Sequence, residues 1–263
     1  MLKKLLKYDL QNIFKFLIIF YSIALFFGIL TRIFLSIEDS FILNIIGQIC
    51  SGVTISMFFN IIINNLMRLW IRFKNNFYGD ESYLTHTLPI DKKTLYLSKS
   101  LASIISVFTS IIVIGLTLFI AYYSKENIQI IKNILMPLVN AYDSTIVTIL
   151  LAFLFIFFLE FANALQVGYT GIILGHKMNN YKTGYSILYG FLTYGIIQVF
   201  VVLVIFIISL FNSDLMNLFI TNEMINIDMV KFIIYLAIFI YTITLIVNYF
   251  INLRLFKKGV NVD

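Results

Sequence analysis

The sequence predicts an all-α polytopic membrane protein: six transmembrane helices, an amphipathic interfacial helix at the N-terminus and a short helix in a cytoplasmic loop. Three observations lead there. The 263 residues are 60% hydrophobic and 12% charged, whereas soluble domains run at about 45–50% apolar and about 25% charged. The apolar residues gather in six blocks, near 14–35, 41–67, 101–123, 145–167, 186–211 and 232–253, each long enough to supply the roughly 20 residues that cross a bilayer. Fifteen of the 19 lysines and arginines fall in segments on alternate sides of those blocks, the asymmetry expected of cytoplasmic loops.

The chain opens with MLKKLLKYDLQNIFKFL. Leu2, Leu5, Leu6, Leu10, Ile13 and Phe14 recur at close to helical spacing, and lysines take the complementary positions. A helix of that pattern over residues 1–13 lies in the headgroup region before the chain turns into the membrane. The alternative reading is a plain positive-inside anchor, and the two are compatible. A cleaved signal peptide is not expected, because Asp9, Gln11, Asn12 and Lys15 split the run and no small-residue cleavage site follows it. Backbone groups in hydrocarbon must be satisfied within their own segment, so continuous apolar runs of this length are helices and not barrel strands.

The basic segments are the N-terminus (Lys3, Lys4, Lys7, Lys15), the loop after the second span (Arg68, Arg72, Lys74, Lys92, Lys93, Lys99), the loop after the fourth (Lys177, Lys182) and the C-terminus (Arg254, Lys257, Lys258). The opposite side has Arg32, Lys125, Lys132 and Lys231 among Glu38, Asp39, Glu126, Asp143, Asp214, Glu223 and Asp228. Both termini are therefore expected in the cytoplasm, with the protein in the cell membrane. The net charge of +6 is an inside-positive bias and calls for no nucleic-acid partner. On the outer side, 36–40 reads as a tight turn, and 124–144 and 212–231 as modest, partly amphipathic segments. None has the 50 or so residues of a folded domain, so residues 1–263 read as one membrane domain.

The loop after the second span, YGDESYLTHTLPIDKKTLYLSK (78–99), is the most patterned polar stretch. Gly79 ends what precedes it, and Asp80 is placed to cap a short helix through Glu81, Ser82, Tyr83, Leu84 and Thr85. Pro89 stops that helix, since the residue before a proline avoids helical geometry. Asp91 is placed to cap the next helix, which Lys92, Lys93 and Thr94 lead into the third span. Tyr83, Leu84 and Leu88 are then available to dock on something, although a solvated loop with incidental aromatics has the same composition. In the loop after the fourth span, GYTGIILGHKMNNYKTGYS (168–186), Gly168, Gly171 and Gly175 thin one side of the helix end, and Lys177 and Lys182 hold the loop at the lipid surface.

Polar residues inside the spans are few. Glu160 is the one acid deep in an apolar block, and placing an ionisable group there costs about 2.5–3.5 kcal/mol or more. Asn163 and Gln166 follow at steps of three on the same helical side. Together they form a face toward a wet cavity and substrate path, or an interhelical hydrogen-bonding node. The second block has Gln48, Ser56, Asn60, Asn64 and Asn65. Asn60 and Asn64 face one way and either line a conduit or join helices.

Reactive chemistry is sparse. His86 and His176 are the only histidines, and Cys50 is the only cysteine. There is no H-E-x-x-H pair and no G-x-x-x-x-G-K-[ST] phosphate loop. The expectation is a non-enzymatic chain with no metal or cofactor of its own; if ATP drives it, another polypeptide binds the nucleotide.

Three stretches carry a family resemblance: DESYLTHTLPIDKKTLYLSK after the second span, GIILGHKMNNYKTGYSILYG between the fourth and fifth, and the tail LRLFKKGVNVD. With the amphipathic start, the arrangement resembles the integral permease subunit of ATP-binding cassette (ABC) exporters, of the six-span Gram-positive type without a fused ATPase. The resemblance implies that two permease subunits pair and that each contacts a separate ATPase, which binds ATP and magnesium. It also implies a coupling helix in the first inner loop, seated in a groove of the ATPase. Asp80, Glu81, Tyr83, Leu84, Thr85, His86 and Thr87 would make that contact. The implied cargo is amphipathic or hydrophobic, an antimicrobial peptide or a drug.

Two other function classes fit the same composition. An ion-coupled secondary carrier would need no ATPase, would depend on Glu160 and would have broken helices near mid-membrane. A membrane scaffold or sensor subunit would bind a partner through its loops without moving cargo.

Overall fold

The structure, a computed structural model, describes residues 1–37, 40–211, 216 and 227–259. Glu38, Asp39, Asp214 and Glu223 lie outside the described residues, as do the side chains of Asp228 and Lys231 and the end of the tail, 260–263. Eight helices make up the described chain: α1 (Leu2–Leu35), α2 (Phe41–Phe77), α3 (Ser82–Thr87), α4 (Lys92–Tyr122), α5 (Lys125–Tyr142), α6 (Ile146–Gly175), α7 (Lys182–Ser209) and α8 (Ile227–Lys257). Six of them, all but α3 and α5, are long and apolar enough to cross a membrane. The protein is an all-α, multi-pass membrane protein.

The spans extend beyond their apolar blocks. The N-terminal amphipathic stretch is helical, but it does not form a separate element that turns into the membrane near residue 13. It is the first part of one 34-residue helix, about 50 Å long at 1.5 Å per residue, against a hydrocarbon core of about 30 Å. No proline or glycine stands before Gly28 to break it. α2 likewise continues past Met67 to Phe77, and α4 starts at Lys92 rather than near 101. The segment 124–144, read from sequence as a modest outer loop, is mostly the helix α5.

The chain, read from sequence as one membrane domain, divides into two compact units, Met1–Ile131 and Lys132–Asp263. In the first, α1 packs along both α2 and α4. Its buried stripe is Asp9, Ile13, Leu17, Tyr21, Ala24, Gly28 and Thr31, a spacing of three and four that keeps one face inward. Hydroxyls and amides join the helices within this core. The Tyr21 hydroxyl and Ser110 Oγ are 2.7 Å apart. Asn65 Nδ2 donates to Ser110 Oγ at 2.8 Å and Asn65 Oδ1 accepts from Ser106 Oγ at 2.8 Å. Thr31 and Thr54 hydroxyls meet at 3.1 Å. Lipid tails are as apolar as leucine, so close packing and hydrogen bonds of this kind hold spans together.

In the second unit α6 packs along both α7 and α8. The contact with α7 depends on absent side chains. A Cβ on Gly171 would lie 2.5 Å from Ser186 O and 2.7 Å from Gly190 N, and one on Gly175 would lie 2.4 Å from Ser186 N. Those are backbone atoms, so no rotamer change relieves the clash. Each unit thus has three spans, with the first packed on the other two.

Gly171→Ala and Gly175→Ala should each destabilise the α6–α7 pair by about 1–3 kcal/mol, the usual cost of overpacking. Gly195→Ala on α7, where a Cβ meets nothing within 4 Å, should be neutral or slightly stabilising. Thermal unfolding of the three variants in detergent checks this contrast.

Candidate functional site

The short helix between α2 and α4 presents exposed apolar side chains outside the spans. α2 closes with Tyr78 N–H and Gly79 N–H both donating to Lys74 O, at 2.8 and 3.1 Å. Gly79 O then accepts from Ser82 N at 2.8 Å, and α3 begins. Leu88, in extended conformation, ends it, as the following Pro89 requires. Asp91 caps α4 as expected: its Oδ2 accepts from Thr94 N at 3.1 Å and its Oδ1 from the Thr94 hydroxyl at 2.5 Å. The hydroxyl hydrogen bond, then the backbone one, with Lys93 adding charge, hold the Asp91 carboxyl below its ordinary value. A carboxylate lowered in the fold stabilises it at neutral pH, and that contribution is lost as pH falls through the lowered value.

The other expected cap is corrected. The residue preceding α3 is Glu81, not Asp80, and no side chain caps the helix backbone. The Glu81 carboxylate is engaged elsewhere, by Asn76 Nδ2. Of the remaining loop residues, Tyr83 and Leu84 are 66% and 75% exposed. The Thr85 and Thr87 hydroxyls donate to the carbonyls of Glu81 at 3.0 Å and Leu84 at 2.9 Å. His86 faces α2: its Nε2 is 3.1 Å from Phe77 O, and its ring lies 6.2 Å from the Phe77 ring. α3 therefore has a docked side, built on His86 and Ser82, and an open side bearing Tyr83 and Leu84.

Beneath α3 lies a buried ionic cluster. Asp9, on α1, is 3% exposed. Its Oδ1 accepts from Arg72 Nη2 of α2 at 2.9 Å and from Lys99 Nζ of α4 at 2.5 Å, and its Oδ2 from Ser98 Oγ at 3.3 Å. Lys99 Nζ also donates to Asn76 Oδ1. The path Asp9–Lys99–Asn76–Glu81 therefore connects α1, α4 and α2 with the residue that precedes α3. Arg68 extends the cluster along α1, donating to Asn12 Oδ1 at 3.0 Å with its guanidinium 5.2 Å from the Phe16 ring.

From the sequence, Asp9 reads only as an interruption of an apolar run, and Lys99 and Arg72 only as loop charges. One signal was present. Asp9 is in register with Leu5, Ile13 and Leu17, on the side of the helix that packs, where an acid needs partners. Asn76 carried no such mark.

The polar residues of the spans separate into two kinds. Asn60 and Asn64 are turned onto their own helix, donating to Ser56 O at 3.0 Å and Asn60 O at 2.9 Å; neighbouring Asn65 is the one in the core. Asn163 and Gln166 join α6 to α8. Asn163 Nδ2 donates to Leu159 O and Tyr241 O, both at 2.9 Å. Asn252 Nδ2 donates to Gln166 O at 2.9 Å and Gln166 Oε1 at 3.1 Å, and its Oδ1 accepts from Thr170 Oγ1 at 2.7 Å. Glu160, half-buried, pairs with the Tyr241 side chain. Its Oε2 and Asn163 Oδ1 are buried without hydrogen-bond partners among the described residues. Among the described residues no group of three His, Cys, Asp or Glu could hold a metal ion.

Removing Asp9 strands two largely buried cations, Arg72 and Lys99, and breaking a buried pair costs about 3–5 kcal/mol. Asp9→Ala should lower stability by that amount, and Asp9→Ala/Lys99→Met should recover part of the loss, because the double change leaves one fewer unpaired charge. Thermal denaturation of both variants measures it. Comparison with protein-family models, curated proteins and solved structures gives no match to this chain.

Proposed function

We propose that the chain is the membrane permease subunit of an ABC exporter, paired with a second permease subunit and driven by a separate cytoplasmic ATPase that binds ATP and magnesium. The single observation that carries this reading is α3. It is a short helix between two spans that presents Tyr83 and Leu84 outward while its first turn is tied through Glu81, Asn76 and Lys99 to Asp9. Such an element transmits force: an ATPase grips the open side, and the ionic cluster carries its displacement to α1, α2 and α4. The positive-inside pattern supports placing α3 and both termini in the cytoplasm. Aromatic-rich spans suit an amphipathic or hydrophobic cargo, an antimicrobial peptide or a drug.

An ion-coupled carrier gains some support from the division into two units of three spans each, since secondary transporters are commonly built from two such sets of spans. Against it, α6 runs unbroken past Glu160, whereas carriers of that type bind at discontinuous helices.

Purification of the tagged chain from its own cells, with identification of what co-purifies, tests the assignment. A stoichiometric ATPase is expected. Tyr83→Ala/Leu84→Ala should weaken its retention by about tenfold or more, equivalent to about 1.4 kcal/mol or more, since anchors of this type dominate interfaces. No associated ATPase would overturn the reading. Glu160→Gln should retain export, because an interhelical hydrogen-bonding role survives the change; loss of ion-driven flux in vesicles would instead favour the carrier.

A further inference from the structure

We infer that α5 is a membrane-interface helix, with Ile130, Ile131 and Ile134 seated at the acyl-chain boundary of the leaflet where α4 ends and α6 begins. At 3.6 residues per turn, its apolar residues (Ile128, Ile131, Leu135, Leu138, with Ile130 and Ile134 beside them) cover one side. Lys125, Gln129, Lys132, Asn133 and Asn140 cover the other. Only part of the apolar side is covered by protein. Leu135 is buried, while Ile130, Ile131 and Ile134 are 54%, 45% and 67% exposed.

What covers them follows from the links. Two residues, Tyr123 and Ser124, join α4 to α5, and three, Asp143 to Thr145, join α5 to α6. At about 3.5 Å per residue, neither end of α5 can lie more than about 10–15 Å from the end of a span. The first link is also locked. Asn127 N donates to Ser124 Oγ at 3.0 Å and Asn127 Nδ2 to Tyr122 O at 2.8 Å, while Arg32 Nη1 at the end of α1 donates to Tyr123 O. A helix pinned at both ends to the rim of bilayer-crossing spans stays within the headgroup zone, and the apolar medium available there is the lipid. Its two-sided pattern is the one interfacial helices use.

The test uses the full chain in phosphatidylcholine/phosphatidylglycerol nanodiscs. In a Cys50→Ala background, nitroxides at Ile131→Cys and Ile134→Cys should be several-fold more accessible to oxygen than to a water-soluble nickel complex, and Gln129→Cys and Asn133→Cys the reverse. Equal accessibility at all four positions would overturn the inference. So would shielding of 131 and 134 from both reagents, which would mean that protein, a second copy included, covers them. In the unmodified chain, a carbene-generating lipid analogue should label the 125–142 segment; absence of label there would equally sink the idea.

Discussion

Asp9 sits where its carboxylate sees almost no solvent, and two cations from different helices, Arg72 and Lys99, converge on one of its oxygens. Much of the first unit follows from that arrangement. A buried carboxylate without partners is too costly to keep, so α1, α2 and α4 must meet at a fixed depth and rotation for the charges to be satisfied. Replacing such a group with a well-packed apolar cluster is often neutral or stabilising, so stability alone is weak grounds for having it. Its position beneath α3 is the better rationale. It makes the geometry of three spans answer to a short helix that packs against α2.

The second unit is held differently. Gly171 and Gly175 bring α7 onto α6 at backbone distance, and an amide ladder of Asn163, Gln166 and Asn252 joins α6 to α8. Neither device needs net charge. The contrast gives the two halves separate mechanical characters: ionic and connected to a loop helix in one, apolar and amide-linked in the other. In both, the interhelical contacts rely on small or polar side chains, because apolar surface gains nothing by leaving lipid for another helix.

The sequence carried much of this in readable form. Six spans were visible because a bilayer demands unbroken apolar length. The α4 cap at Asp91 was visible because Asp followed by Lys-Lys-Thr after Pro-Ile is a local signal, satisfied within one turn. The cap of α3 is misassigned from the same kind of signal: Asp80 and Glu81 are adjacent acids, and Glu81, the one that precedes the helix, has its carboxylate bound by Asn76 from α2 rather than capping the helix backbone. The interfacial N-terminal helix was half visible. Its periodicity was correct, but Asp9 was taken for a break because nothing in the local sequence shows that Arg72 and Lys99, more than sixty positions away, will neutralise it. Asn60 and Asn64 drew attention by their spacing, yet the core took Asn65, one position on, because helix rotation about its axis is set by the neighbouring helices.

The sequence by itself determined the class of protein, the number of spans, their asymmetric charge and the α4 cap at Asp91, because these depend on composition and on residues within a few positions of one another. Only the tertiary structure decided which polar groups meet. The ionic cluster on Asp9, the division into two three-span units and the docking of α3 by His86 on the Phe77 carbonyl all require helix rotation and depth, which side-chain packing fixes and linear spacing does not encode.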